Sequence, residues 1–265
     1  MIFLKLGGSL ITDKTQDNTP RLDVLHRLAQ EIAQHQITNN PITLLLGHGS
    51  GSFGHAAAKK YGTRQGVSDA AGWRGFADVS VAAARLNRIV ADCLHDAGVP
   101  VISVLPSASA VCVDGVLKSM DTRLIVKALA QQLTPLVMGD VALDTVRGGT
   151  IVSTEEVFGY LSQHLPVTRI LLAGETEGVY ERYSPTDPGL IISHITPKNW
   201  REISSGIGAS RGADVTGGMA SKVRDMVTLV QAQPSLQVQI FSGLVEGNVA
   251  RALAGERVGT QISAD

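Results

Sequence analysis

Six short apolar runs recur along the chain, each followed by a glycine-rich or polar turn and then by a helical pattern. Nearly every position in these runs is apolar, which is typical of strands covered on both faces. Alternating strands and helices predict an α/β fold with a mostly parallel central sheet and helices on both faces. The runs are Ile2–Leu6, Ile42–Leu46, Val101–Val104, Leu136–Met138, Ile170–Leu172 and Val238–Phe241.

Apolar periodicity predicts helices over 20–35, 76–97, 121–132 and 218–232, the first with Thr19 as N-cap and Pro20 at its first position. Turn signals at Asp114-Gly115 and at 147–149 predict two hairpins. Residues 201–217 lack periodicity and are rich in glycine and serine, which indicates a mobile loop. Because no linker interrupts the chain, we expect one domain with an N-terminal lobe over about 1–165 and a C-terminal lobe over about 166–265.

Composition excludes several classes of partner. The net charge is -1 and only 4% of residues are aromatic, so neither a global field nor a stacking platform favours nucleic acid or an anionic membrane. The two cysteines, Cys93 and Cys112, lie in apolar stretches and are expected to be buried free thiols. No signal peptide or membrane-length run is present, which predicts a soluble, cytoplasmic protein.

The sequence KLGGS ends the first apolar run. Gly7 and Gly8 let the backbone approach a bulky anion, and Lys5 can emerge at the edge of the sheet where ligands bind. Lys14 follows within reach of the same space. Taken alone, the motif is equally compatible with a tight turn and two solvated lysines.

A second glycine loop, GHGSGSFGH over 47–55, follows the second apolar run and opens a helix. Such a loop presents N–H groups and a helix N-terminus to an anion. Because there is no Walker A sequence, and because no strand-like run ending in an acidic residue follows as in a Rossmann unit, the loop indicates a phosphate site outside both schemes. His55, directly after the glycines, is a candidate phosphate ligand, whereas His48 is expected to be structural.

A third element, DVTGGM over 214–219, opens another helix, and Lys222 lies one turn further on the face of Gly218. A helix N-terminus beside a cation suits the β-phosphate of a nucleotide. The chain therefore has three glycine turns, three lysines and one histidine that are suited to binding anions. Phosphoryl transfer needs such equipment, because two anions must be aligned and the charge on the transferring group neutralised.

Together these motifs resemble the amino acid kinase superfamily and, within it, the isopentenyl phosphate kinase family. The resemblance runs over nearly the whole chain and includes KLGGS, SFGH, GWRGFADVSVAAARLNRIV, MGDV, DVTGGM with Lys222, and GNVARALAGERVGTQI. It implies a three-layer αβα sandwich and a homodimer formed through the N-terminal half. The implied reaction is ATP-dependent phosphorylation of isopentenyl phosphate to isopentenyl diphosphate, which feeds isoprenoid synthesis.

The resemblance also implies roles for individual residues. Lys5 would contact the transferring phosphoryl group, and Lys14 would stabilise the transition state between donor and acceptor. The acceptor phosphate would be held by Gly49, Gly54, His55 and Thr154. The nucleotide would be bound by Gly7, Gly8, Ser9, Ser50, Glu175, Gly218 and Lys222. Magnesium is expected as part of MgATP, with no protein ligand assigned to it.

This chain departs from the family pattern at several positions. Ser50 replaces the second of three glycines, Thr154 replaces the glycine of an I-S-G-D stretch, and Glu175 and Glu177 replace two aspartates. These changes leave two alternatives open. The acceptor could be another small alkyl phosphate or a phosphonate such as fosfomycin, or the chain could be a non-catalytic nucleotide-binding member of the superfamily. For isopentenyl phosphate as the acceptor, the candidates for the wall of a hydrocarbon pocket are Phe76, Val79, Ala83 and Leu86, which could equally be ordinary core residues.

Overall fold

A computed structural model describes residues 1–37, 43–182, 189–204 and 218–264, without the side chains at 36–37 and 55–57. In the described part, the strands are β1 (Ile2–Leu6), β2 (Leu44–His48), β3 (Val101–Ser103), β4 (Val111–Val113), β5 (Val116–Ser119), β6 (Thr134–Met138), β7 (Asp140–Asp144), β8 (Gly148–Val152), β9 (Arg169–Gly174), β10 (His194–Ile195), β11 (Gln237–Ser242) and β12 (Thr260–Ile262). The helices are α1 (Gly8–Ile11), α2 (Leu22–Ile37), α3 (Gly51–Tyr61), α4 (Ala70–Asp96), α5 (Arg123–Ala130), α6 (Thr154–Ser162), α7 (Trp200–Ser204), α8 (Gly218–Ala232) and α9 (Asn248–Ala254).

The central sheet has eight strands in the order β10-β12-β11-β9-β1-β2-β6-β3. Every pairing in it is parallel except that of β11 with β12. From β1 the strand order runs through β2 on one side and through β9 on the other, so β1 lies at the topological switch point. Ligands of open α/β sheets bind outside the carboxyl ends of the strands at such a point.

Alternating side chains of the central strands enter two separate cores. Leu4 of β1 packs with α2, α4 and α9 on one face, and Phe3 packs with α5, α6 and α8 on the other. Phe3 and Leu4, which are adjacent in sequence and face opposite sides of the sheet, are both fully buried. Burial on both faces explains why the sequences of these strands are continuously apolar. The three-layer α/β architecture predicted from that pattern is therefore confirmed.

Both predicted hairpins form, and they pair with each other in a second sheet of order β5-β4-β7-β8. Asp114 and Gly115 have φ values of 50° and 79°, as a two-residue hairpin turn requires. The carboxylate of Asp144 accepts the N–H groups of both residues, at 3.2 and 2.6 Å, and those of Val146 and Arg147, both at 2.8 Å. One side chain thus joins the two turns of this sheet.

The predicted bounds of three helices are wrong. Helix α5 spans Arg123–Ala130 and not 121–132. Pro20 forms an isolated antiparallel bridge with Thr12, and the Thr19 hydroxyl donates to the Asp17 carbonyl, so α2 begins two residues later than its capping signal predicted. Helix α4 begins six residues earlier than predicted, because Asp69 caps it by accepting the Gly72 N–H. Most of the loop predicted over 201–217 lies outside the described residues, and 201–204 belong to α7. None of the described helices combines the length and apolar character needed to cross a bilayer.

Glu31 ties α2 to α9, near opposite ends of the chain. Its buried carboxylate accepts the N–H groups of Gly247, Val249 and Ala250 at 3.1–3.2 Å, and pairs with Arg27 at 2.5 Å. This side chain satisfies the N–H groups that the start of a helix leaves open.

Replacing Glu31 by alanine is expected to lower the free energy of unfolding by about 2–3 kcal/mol, because the N–H groups at the start of α9 would lose their acceptor. Urea denaturation measures the change. The matched control is Glu256→Ala, which removes an exposed carboxylate paired with Arg251 and should change stability little. Equal losses in the two variants would contradict the role assigned to Glu31.

Candidate active site

Two glycine loops meet at the carboxyl ends of β1 and β2. The strands are adjacent and parallel, with Leu6 opposite His48, so the loops leave the sheet side by side. A Cβ on Gly8 would collide with the backbone of Gly51, and one on Gly49 would lie 2.7 Å from the Gly8 nitrogen. Because no side chain separates the loops, anything bound by one lies next to anything bound by the other.

The Thr12 hydroxyl joins the two loops a second time. It donates to the Gly8 carbonyl at 2.7 Å and accepts the Ser52 N–H at 2.9 Å. Thr12 is fully buried, so both bonds are shielded from water. The start of α1 and the start of α3 are thereby held in one arrangement.

Each of the two glycine loops uses some of its N–H groups in hydrogen bonds within the protein. Gly7 and Gly49 donate theirs to the carbonyls of Ala173 and Leu6, at 2.8 and 3.0 Å. In the described part of the chain, no acceptor faces the N–H groups of Gly8, Ser50 and Gly51. An anion at this edge of the sheet would therefore meet the residues just after Gly7 and Gly49.

A carboxylate between two lysines lies at the same edge. The Lys5 ammonium is 2.5 Å from Glu155 Oε1, and the Lys222 ammonium is 3.8 Å from the same oxygen. Glu155 occupies the first turn of α6, whose start is fixed by a capping box between Ser153 and Glu156. Two cations share one anion, so the cluster keeps a net positive charge.

The pKa of Glu155 is lowered as a result of this arrangement. Burial opposes ionisation, but the charges of Lys5 and Lys222 outweigh it and lower the pKa of the Glu155 carboxyl to about 2. The side chain is only 12% exposed and stays ionised at neutral pH. Glu155 was not among the residues predicted for the site. Its signal in the sequence was its place in the stretch that resembles I-S-G-D.

Thr154 and Ser50 replace family glycines without entering the space between the loops. The buried Thr154 hydroxyl donates to the His48 carbonyl at 2.6 Å, and its methyl group lies where Gly47 has no side chain. Ser50 has an ordinary φ of -76°, and its hydroxyl lies 2.7 Å from where a Cβ on Gly54 would be. Each added side chain thus lies against a glycine.

Glu175 lies just after β9 and pairs with Arg21 at 3.1 Å, linking the segment before α2 to the predicted nucleotide side. Gly218 opens α8 with a φ of 74°. Lys14 is exposed in the turn after α1, and Ser9 lies within α1. His55 belongs to α3, but its side chain and residues 214–217 lie outside the described part of the structure.

The candidate residues for a hydrocarbon pocket divide into two groups. Phe76 and Val79 pack with Ala58, Val141 and Ile151 in a small apolar cluster between α3, α4 and the second sheet. Leu86 belongs instead to the main core, and Ala83 is buried. The structure therefore favours ordinary core packing for Leu86.

Comparison with known proteins shows the family and the fold. The model of the Amino acid kinase family matches residues 1–242. The chain is 32% identical to isopentenyl phosphate kinase of Methanocaldococcus jannaschii, over 99% of this chain and 98% of that protein. It is 34% identical to isopentenyl phosphate kinase of Methanothermobacter thermautotrophicus, over 99% of each.

Two solved structures share the fold. An X-ray structure of isopentenyl phosphate kinase superposes with a TM-score of 0.83 at 31% identity, covering 99% of this chain and 100% of the other. The product complex of isopentenyl phosphate kinase from T. acidophilum has a TM-score of 0.79 at 22% identity, covering 99% of both chains. At that identity the second comparison supports the fold alone.

The ion cluster predicts a particular acid response. The folded pKa of Glu155, about 2, lies below the ordinary value of 4.5. Its contribution to stability is therefore complete above about pH 4.5 and is lost as the pH falls towards 2. Glu155→Gln removes this contribution. Urea denaturation at pH 5 and pH 3 should show the stability gap between wild type and variant narrowing at the lower pH, and a constant gap would contradict the assignment.

Proposed function

The chain belongs to the amino acid kinase family, and from this premise we propose that it transfers the γ-phosphoryl group of ATP to isopentenyl phosphate, giving isopentenyl diphosphate and ADP. The single observation that carries the proposal is the side-chain-free contact of Gly8 with Gly49 and Gly51. A donor phosphate and an acceptor phosphate bound by these loops lie next to each other, as direct transfer requires. The curated relatives named above carry the same activity in their names.

The reaction needs charge neutralisation more than a base. An oxygen of the acceptor monophosphate, already anionic at neutral pH, attacks the γ-phosphorus, and the bond from that phosphorus to the β,γ-bridging oxygen breaks. Lys5 and Lys222 neutralise the charge on the transferring group and the ADP formed. Glu155 holds both ammonium groups at one place, which removes the need to order them when ATP binds.

On the donor side we assign the nucleotide phosphates to the predicted residues Gly7, Gly8, Ser9, Ser50, Gly218 and Lys222, with Glu175 beside the nucleotide. The N–H groups of Gly8 and Gly51, which meet no acceptor among the described residues, favour this assignment. Magnesium enters as part of the MgATP substrate. The described residues hold no group of three or more His, Cys, Asp or Glu side chains that could bind a metal ion of their own.

On the acceptor side we assign the monophosphate to Gly49, Gly54, His55 and Thr154, with Lys14 between donor and acceptor. Because the Thr154 hydroxyl is already bonded to the His48 carbonyl, Thr154 would contribute through its backbone. The hydrocarbon tail would pass the small apolar cluster that contains Phe76 and Val79. Its apolar wall suits an isoprenoid chain.

Further parts of the proposal follow from the family resemblance. They are an acceptor-binding and dimer-forming lobe over about 1–165, a nucleotide-binding lobe over about 166–265, a homodimer, a cytoplasmic location and a place in isoprenoid synthesis. The exposed apolar side chains of Val113, Val116 and Leu143 lie in the first lobe and suit a contact with a second copy.

Purified protein with MgATP and isopentenyl phosphate should release ADP and form isopentenyl diphosphate, identified by phosphorus NMR. The same assay with fosfomycin and other alkyl phosphates, ranked by kcat/KM, tests the alternative acceptors, which the named relatives do not favour. ATP binding without transfer to any acceptor would instead identify a non-catalytic member of the family.

Lys14→Ala should lower kcat on the order of 10²-fold, as expected for loss of a transition-state contact. His55→Ala should raise KM for isopentenyl phosphate while KM for ATP changes little. Steady-state kinetics with each substrate varied in turn measures both effects. Lys59→Ala, an exposed lysine on the same helix as His55, is the control and should leave both constants unchanged.

Gly8→Ala should lower kcat/KM on the order of 10²-fold, because a Cβ there pushes against backbone and separates donor from acceptor. The control is Gly159→Ala in α6, where an added Cβ meets nothing within 4 Å. That substitution should keep activity and raise stability by about 0.5–1 kcal/mol, since alanine favours a helix interior. Full activity in Gly8→Ala would refute the direct contact of the two bound substrates.

A further inference from the structure

His48 is a fully buried histidine at the end of β2, beside the second glycine loop. Its Nδ1 lies 3.1 Å from the carbonyl oxygen of Gly49, and its Nε2 lies 3.0 Å from the amide nitrogen of Asn87. Asn87 belongs to α4 and is itself only 4% exposed. His48 thus contacts a peptide group of the loop with one ring nitrogen, and Asn87, 39 residues away, contacts the other ring nitrogen.

These contacts place the ring proton. A carbonyl oxygen can only accept a hydrogen bond, so the proton lies on Nδ1, which donates to Gly49. In the neutral ring Nε2 then has a lone pair and accepts the amide N–H of Asn87. In the opposite tautomer the proton would lie on Nε2, and the lone pair of Nδ1 would face the Gly49 carbonyl oxygen. The hydrogen bond between His48 and Gly49 would then be lost.

The ring is uncharged at neutral pH. Burial is the main cause that lowers the pKa of His48, to about 4. The charge on Lys5 lowers this pKa further, and the hydrogen bond to Gly49 opposes both effects. A neutral imidazole has one donor and one acceptor, and both are used here.

The Gly49 carbonyl and the Ser50 N–H belong to one planar trans peptide and point in opposite directions. Holding the carbonyl inward on His48 therefore turns the Ser50 N–H outward, and within the described residues no acceptor faces it. The preceding peptide group, which consists of the His48 carbonyl and the Gly49 N–H, is fixed as well. Gly49 N–H donates to Leu6, and the His48 carbonyl accepts the Thr154 hydroxyl.

We propose that His48 and Asn87 are positioning residues that fix the Gly49–Ser50 peptide so that the Ser50 N–H, and not the Gly49 carbonyl, faces a substrate phosphate. Reversal of this peptide would replace a donor by a carbonyl oxygen that repels the phosphate. His48 acts through the backbone and never touches the substrate. The inference rests on the proposed phosphoryl transfer for its kinetic consequence, but the proton position stands without it.

Two variants of His48 separate the donor position from mere burial. Asparagine carries its amide nitrogen close to the position of Nδ1, whereas glutamine carries its own close to that of Nε2. We expect His48→Asn to keep the bond to Gly49. His48→Gln should lose it, with kcat/KM for MgATP, whose phosphates are assigned to Ser50, lower than in His48→Asn by about 10-fold to 10²-fold. Thermal unfolding of both variants shows whether their stabilities match.

The proton itself can be observed in the wild-type protein. Long-range proton–nitrogen NMR spectra of histidine-labelled protein distinguish the two tautomers, and the His48→Asn variant assigns the signal. A proton on Nδ1 at pH 7 supports the inference, and a proton on Nε2 overturns it. Equal kinetic losses in the asparagine and glutamine variants also overturn it. Absence of turnover in the wild type would instead refute the proposed function and leave the NMR result standing.

Discussion

The contact between Gly8 and the loop at Gly49–Gly51 is the constraint on which the rest of the site depends. Parallel pairing of β1 with β2 brings the two loops to one edge of the sheet, but only residues without a Cβ can close the last gap. Thr12 then fixes the separation with a hydroxyl that bonds to both sides. Because the distance between the two loops is set by backbone, it does not depend on flexible side chains. In the proposed reaction this would hold the two phosphates in place, and such fixed placement of reactants is a large part of catalysis.

The ion cluster of Lys5, Glu155 and Lys222 complements this fixed backbone. Isolated buried charges are costly, and one carboxylate among two ammonium groups reduces that cost without cancelling the positive charge. Three separate elements, β1, α6 and α8, contribute one residue each. The cluster therefore assembles only when β1, at the switch point of the sheet, is packed against the helix layer that contains α6 and α8. This requirement links the folding of one core to the chemistry at the edge of the sheet.

Local sequence patterns were sufficient to predict the main strands and the glycine loops. The features that they did not predict depend on contacts between residues far apart in the sequence. Continuous apolar runs predicted the strands because both faces of the sheet are covered, and glycines after β1 and β2 predicted the loops. Pro20 was misassigned to a helix because its bridge to Thr12 is a tertiary contact. Glu155 escaped prediction for a similar reason, since its partner Lys5 lies 150 residues away. The expectation that His48 is structural accounts for its burial. It does not include the proposed orientation of the Gly49–Ser50 peptide by His48, because that role involves a contact of the ring with the distant residue Asn87.

Two of the four departures from the family pattern are compensated locally. Thr154 fills the space left by the missing side chain of Gly47, and Ser50 lies over Gly54, so each added group lies against a glycine. Thr154 also adds a bond to the His48 carbonyl, one residue before the peptide that presents the Ser50 N–H. A glycine at 154 could not make that bond. The loop after β2 therefore has one hydrogen bond to its backbone that a glycine at 154 would not give, while the space between the loops stays free of side chains from these two positions. Substitutions that alter a binding motif without occupying its open face are compatible with an unchanged reaction.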